Sequence, residues 1–390
     1  MNKNFDENEL DKIIRGKNIN FLIGAGASVP LFPPLRIGGT NYSFEDIVSN
    51  SNILKPARDF MYMYYFKNWI EPMNNISNIR KEHISDSDND VFKNYKKLVQ
   101  WFHNFLQHES NESPKRINVF TTNYDLLFEF TFDEFLLNNS MIYFNDGSRG
   151  FINKYISNKN FYLNITHSGY NDNYRREVPT VNLFKLHGSL SWEVDNDNNK
   201  ISVATKNKTI ESINTYLKDS KITKEKLEEV IKTIEDDSDL NNYIEQLNDK
   251  VKNLNLSEEI RKKFRIKYRK LAIINPNKYK FSKTVLEQYY YQMIRSFSYE
   301  LERKQSVLIV FGFSFADEHI RDIFERSLLN PELIVIIISY SLEEQERMKD
   351  IFQKNNNIKF FPVKFERNSS KNETHGDFEY LLKLLGGQND

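Results

Sequence analysis

The chain has 390 residues, and its 54 basic side chains balance its 54 acidic ones, so no net field draws it toward nucleic acid or an anionic membrane. It has no cysteine, which excludes disulfides and thiolate metal ligands. Apolar runs such as Ile334–Ile338 fall far short of the roughly 20 residues a membrane helix needs, and the opening Met1-Asn2-Lys3-Asn4-Phe5-Asp6-Glu7 lacks an apolar signal core, so the expected location is cytoplasmic.

In chain order, Asn18–Ile23 is a short apolar run stopped by glycines, which predicts a strand feeding a tight turn. A Pro-rich loop follows from Ser28 to Pro34, and Ser43 with Asp46 has capping-box spacing for a helix. The stretch Met61–Trp69 is densely aromatic; its Tyr62, Tyr64, Tyr65, Phe66 and Trp69 suit either a core or an interface. Tyr95, Leu98, Val99, Phe102, Phe105 and Leu106 recur at helical spacing. Ile117–Phe120, Val181–Leu186, Ser306–Phe311 and Leu333–Ser339 read as further strands, the last two apolar and β-branched as buried parallel strands are. Lys359–Phe365 alternates and predicts an edge strand, while 367–375 and 386–390 read as loop and tail.

Strands alternating with helices predict an α/β fold: a Rossmann-like parallel sheet with helices on both faces. Residues 193–272 break that pattern. They lack Gly and Pro, are highly charged and carry Leu227, Val230, Ile231 and Ile234 at helical spacing. Two or three helices inserted into the sheet domain are expected there, with 1–192 and 273–385 forming the sheet domain. The basic run from Arg261 to Lys270 reads as a solvated helix face or an intramolecular charge partner rather than a nucleic-acid site.

Four strand ends carry groups suited to chemistry. Gly24-Ala25-Gly26-Ala27-Ser28 lets the backbone approach a pyrophosphate, although Val29 stands where a full dinucleotide fingerprint has its third Gly. A tight turn explains these glycines equally well. In Thr121-Thr122-Asn123-Tyr124-Asp125, Thr122 and Asp125 have capping-box spacing, which leaves Asn123 unexplained. Lys185-Leu186-His187-Gly188-Ser189 places an imidazole at the end of a strand, facing the crevice where such sheets bind ligands. An imidazole, with a reference pKa of about 6.5, suits removal of a proton from a hydroxyl or water. In Phe311-Gly312-Phe313-Ser314, Ser314 and Asp317 have N-cap and N3 spacing, and a capped helix start is also a phosphate site.

In this order, with an Asn and a His among them, the four segments resemble the Sir2 (sirtuin) family, whose chemistry is cleavage of NAD at the nicotinamide–ribose bond. The resemblance spans about residues 15–40, 115–130, 180–195 and 270–345. It implies that Asn123 contacts the ribose and positions the attacking water, that His187 is the base and that Asp125 holds the nicotinamide carboxamide. Gly24, Ala25, Gly26, Ser28, Thr122, Gly312 and Ser314 would bind the dinucleotide, and Arg36 would lie in a loop closing over it. Without cysteine the zinc ribbon of the deacetylase branch is absent, and the 193–272 insert stands in its place. The expected protein is therefore a zinc-free Sir2-like NAD hydrolase, of the kind used in bacterial anti-phage defence by NAD depletion. It resembles the stand-alone subunits that assemble as homo-oligomers or with a HerA-type ATPase. An NAD-dependent deacylase or ADP-ribosyltransferase, or a non-catalytic NAD or ADP-ribose sensor, are the alternatives.

Overall fold

The computed structural model describes residues 10–33, 35–37, 40, 42–75, 86–110, 115–139, 141–195, 199–235, 239–254, 256–275, 284–352, 355–365 and 374–386. The loop and tail expected at 367–375 and 386–390 lie largely outside them. Fourteen strands occur among the described residues. They are β1 (Asn18–Ile23), β2 (Arg116–Thr121), β3 (Tyr143–Asn145), β4 (Ser148–Arg149), β5 (Lys154–Ile156), β6 (Thr166–His167) and β7 (Arg176–Glu177), then β8 (Thr180–Lys185), β9 (Gly188–Asp195), β10 (Lys200–Val203), β11 (Leu271–Ile273), β12 (Ser306–Phe311), β13 (Ile334–Ile338) and β14 (Ile358–Phe361).

Seven of them form one sheet in the order β14-β13-β12-β1-β2-β8-β3. Every pairing in it is parallel. The alternation of a strand sends neighbouring side chains to opposite faces, and here both faces are covered. Ile19, Phe21 and Ile23 of β1 enter one core and Leu22 the other. Val307, Ile309 and Phe311 of β12 join the first core, and Leu308 and Val310 the second. The first core is completed by the helices Asp86–His108, Leu127–Leu136 and Phe378–Leu384, the second by Thr284–Glu302, Glu318–Ser327 and Leu342–Phe352. Each large apolar side chain buried this way contributes roughly 1.5–3 kcal/mol. This is the Rossmann-like α/β architecture expected. The edge strand predicted at 359–365 is β14, which starts one residue earlier and ends four residues sooner, where Pro362 interrupts it.

One row of the sheet is polar. Asn20, Asn118, Asn182 and Asn145 lie side by side in register on β1, β2, β8 and β3. All four are buried. Asn118 Nδ2 donates to Asn20 Oδ1, Asn182 Nδ2 to Asn118 Oδ1 and Asn145 Nδ2 to Asn182 Oδ1, each at 2.9 Å. Asn20 Nδ2 closes one end on Ser306 Oγ at 3.0 Å. An amide carries both donor and acceptor, so a chain of them satisfies itself without water.

The insert differs from expectation. It opens with the β9–β10 hairpin, holds four helices rather than two or three, and returns through β11, which pairs with β9. Each helix starts at a side-chain cap: Asn207 before Lys208–Asp219, Thr223 before Lys224–Lys232, Asp239 before Leu240–Asn253 and Ser257 before Glu258–Tyr268. The apolar stripes of all four share the first core; the first helix packs on Glu258–Tyr268 and on Glu71–Asn74, and the last three pack on the helix Lys55–Tyr65. That helix and its wide-turn continuation, Phe66–Ile70, bury Tyr64, Tyr65, Phe66 and Trp69, while Tyr62 lies half-buried with its ring 5.2 Å from that of Tyr268. Four of the five aromatics are therefore core. The predicted capping box is present: Ser43 Oγ accepts from Asp46 N, and Asp46 Oδ2 accepts from Ser43 N. No helix among the described residues is long and apolar enough to cross a membrane.

Candidate functional site

From β1 the chain moves to β2 on one side of the sheet, and it returns much later to β12 on the other side. The carboxyl ends of β1 and β12 thus flank a topological switch point, where open α/β sheets bind ligands. A cavity of about 200 Å³, or about 890 Å³ with its open mouth, lies at this edge. Ala25 and Ser28 after β1, Thr122, Asn123 and Asp125 after β2, His187 after β8, and Asp317 beyond β12 all line it. Phe32, Pro33, Leu35 and Met73 supply apolar wall, and Ile274 and Asn275 follow from β11.

Gly24, Gly26 and Gly312 stand beside the cavity rather than in its lining, and their chemistry is not the one expected. Gly24 N donates to Phe311 O at 3.0 Å and Gly26 N to Gly312 O at 2.9 Å. These two amides are spent on the neighbouring loop and cannot also grip a pyrophosphate. A Cβ at Gly24 would meet Gly312 O at 2.4 Å, and one at Gly26 would meet Gly312 Cα at 2.7 Å. The glycines let two strand-end loops touch backbone to backbone.

Asn123 is the hinge of the polar floor. Its Nδ2 donates to Gly24 O at 3.0 Å and to Ser28 Oγ at 3.2 Å, which ties the β2 loop to the β1 loop. Ser28 Oγ donates to Asp125 Oδ2 at 3.1 Å, and Asp125 Oδ1 accepts from Leu127 N at 3.0 Å. Tyr95 Oη lies 3.3 Å from Ser28 Oγ, and burial, reinforced by the Asp125 carboxylate, pushes its phenol well above the usual range. Beneath the loop, the buried Lys185 ammonium donates to the carbonyls of Asn123, at 3.3 Å, and of Asp125, and pairs with Glu129 at 3.2 Å. Burial raises the Glu129 carboxyl to about 7, against the pull of Lys185. A buried ammonium holding two carbonyls fixes the loop from below.

The capping readings need correction. Thr122 caps nothing; Thr121 Oγ1 instead accepts from Asn123 N at 3.0 Å and donates to Ile23 O at 2.8 Å. At the start of the helix Leu127–Leu136 the side-chain acceptor is Asp125, whose Oδ1 takes the Leu127 N–H. Ser314 is exposed, and its carbonyl accepts from Arg347 at 3.1 Å. The N-cap of Glu318–Ser327 is Asp317, whose Oδ1 accepts from His319 N at 3.0 Å and Ile320 N at 3.2 Å. Ser314 and Arg36 are both outside the cavity lining, Arg36 being exposed in a single bridge to Ser43.

Asp317 is the residue the sequence reading missed. Its second oxygen, Oδ2, sits 3.0 Å from His187 Nε2. That nitrogen is buried and makes no aligned hydrogen bond among the described residues. On its backbone side His187 is held by Ile274 N, which donates to His187 O at 2.8 Å. Tyr290 packs beside the imidazole with ring centroids 6.4 Å apart, and burial, helped by Asp317, raises its phenol above the usual range. The cavity therefore brings together Ala25, Ser28, Thr122, Asn123, Asp125 and His187 from the predicted set and adds a carboxylate to the imidazole. That arrangement suits removal of a proton by a carboxylate-oriented base. Compared with known protein families the chain matches none, and no curated protein matches it.

Proposed function

We propose that this cavity takes the nicotinamide–ribose end of NAD and hydrolyses its glycosidic bond, as the Sir2-like resemblance of the four strand ends implies. The observation that supports it most is the meeting of Asn123 and His187, from the ends of adjacent strands, at the switch point of the sheet. In the reaction the bond between ribose C1′ and the pyridinium nitrogen breaks, and nicotinamide leaves with the electron pair. A water oxygen bonds to C1′ and gives its proton to His187, leaving ADP-ribose. Asn123 orients ribose and water, and Asp125, held by Ser28, shapes the carboxamide pocket. Little covalent work falls to the protein, so positioning and a fixed polar floor supply the rate. Control by self-association or by a HerA-type ATPase belongs to the same reading, as does a role in anti-phage defence.

The test is incubation with NAD, alone and with a HerA-type partner, followed by chromatography. Nicotinamide and ADP-ribose in equal amounts are expected. Intact NAD under both conditions overturns hydrolysis, and nicotinamide release that requires an acyl-lysine peptide moves the protein to the deacylases. Turnover is expected to survive EDTA, because the chain has no cysteine and no group of three or more His, Asp or Glu suited to a metal among its described residues.

Asp317 acts in this scheme through His187, as a positioning residue that stabilises the imidazolium. Asp317→Asn keeps an acceptor for the helix start but removes the charge. Its kcat is expected to fall at least about 10-fold, within the ~100-fold or more that a positioned base contributes. KM for NAD and the thermal midpoint should stay near wild type. An unchanged kcat would confine Asp317 to capping.

A further inference from the structure

A second cavity lies outside the catalytic one, between the helices Lys55–Tyr65 and Glu258–Tyr268, and encloses about 870 Å³, within the ~300–1,000 Å³ of small-molecule sites. Five cations line it, Lys55, Arg58, Lys262, Arg265 and Arg269, against two carboxylates, Asp59 and Glu258.

The carboxylates are already engaged. Asp59 is buried between Arg261, at 3.4 Å, and Arg265; burial pushes its carboxyl up while the two guanidiniums pull it down. Glu258 meets Arg265 at 2.7 Å, Arg261 at 2.9 Å and Lys55 at 3.2 Å, and these partners hold it at about 2. Arg58, Lys262 and Arg269 have no ion pair among the described residues. Arg58 Nε is buried with no hydrogen-bond acceptor, and a guanidinium N–H shut away from water without one is costly. Intramolecular pairing therefore explains only part of the basic run 261–270.

We propose that this cavity binds a small oligophosphate, with Arg58, Lys262 and Arg269 as its grips and Tyr62 as the aromatic wall. Guanidinium forks match phosphate oxygens, and three uncompensated cations call for a multiply charged anion. The cavity also adjoins the proposed NAD site, since Asn275 lines both and accepts a hydrogen bond from Tyr268 Oη at 2.9 Å. A ligand there sits one side chain from the catalytic floor. That the neighbouring cavity is an NAD site rests on the proposed function; oligophosphate binding does not depend on it.

Calorimetric titration of the full chain with ATP and with inorganic tripolyphosphate tests it. Saturable binding of at least one is expected. Arg58→Glu should weaken it at least about tenfold, as loss of a charge-assisted contact does. Lys262→Glu and Arg269→Glu, at exposed positions that spare the fold, should weaken it similarly, and Asn123→Ala should leave it intact. Tighter binding of ATP identifies a nucleotide; equal binding identifies the phosphate chain alone as the recognised group. Absence of binding at millimolar probe, or binding that survives all three reversals, overturns the proposal. Binding by a chain that leaves NAD intact both alone and with a HerA-type partner would retain the oligophosphate site and reject the hydrolase.

Discussion

Asn123→Ala and His187→Ala are each expected to lower NAD turnover about 100-fold or more, the usual cost of removing a positioned acid–base group. The fold should survive both changes. From its side chain Asn123 donates to Gly24 O and Ser28 Oγ, and two such bonds are worth about 0.5–1.5 kcal/mol each. His187 is anchored by its backbone to Ile274, which alanine preserves. Because Asn123 also ties two loops together, Asn123→Asp is the sharper variant: it keeps the shape but loses the donor to Gly24 O. Chromatographic assay of NAD, with circular dichroism as the check on folding, measures all three. Near-normal turnover by a folded alanine variant would remove the role assigned to that residue.

Gly312→Ala should be among the most damaging single methyl additions in the molecule. Gly312 has φ +63°, and a Cβ there would lie 2.5 Å from Ala27 N. The left-handed backbone costs an L-residue about 1–2 kcal/mol, and forcing an atom into packed backbone costs about 1–3 kcal/mol more. Gly386 separates the two contributions. It also has positive φ, +83°, but nothing lies within 4 Å of its Cβ position. Denaturant midpoints should therefore show Gly312→Ala losing about 2–5 kcal/mol and Gly386→Ala only the backbone share. Equal losses would mean that the two loops can separate without cost.

The sheet was legible because its strands are short apolar runs ending in glycine or polar residues. Asn18–Ile23 and Ser306–Phe311 were placed to the residue. The insert's helices were legible as a class but not in number, because charged periodic segments continue through their breaks. Its hairpin was hidden by Glu193 and Asp195, which do not look like strand residues until β10 and β11 cover them. Cap spacing misled twice, at Thr122 and at Ser314, since the real acceptors are Asp125 and Asp317 and a spacing does not say which residue turns first. The pairing of Asp317 with His187 joins residues 130 positions apart, and no local pattern reports it. The meeting of Asn123 with His187 was legible only through the strand ends that carry them.

The row of buried asparagines has a consequence for the site. Asn20, Asn118 and Asn182 stand four, five and five residues before Gly24, Asn123 and His187 in the chain. Their amides match in one alignment of the strands, and a slip of one strand by a residue would leave them facing hydrocarbon. The same slip would carry a strand end about 3.3 Å along the sheet, far enough to part Asn123 from Gly24 or His187 from Asp317. The row thus works as a datum line from which the heights of three loops are measured. A misaligned strand is thus penalised in the interior, whatever contacts its loop could make.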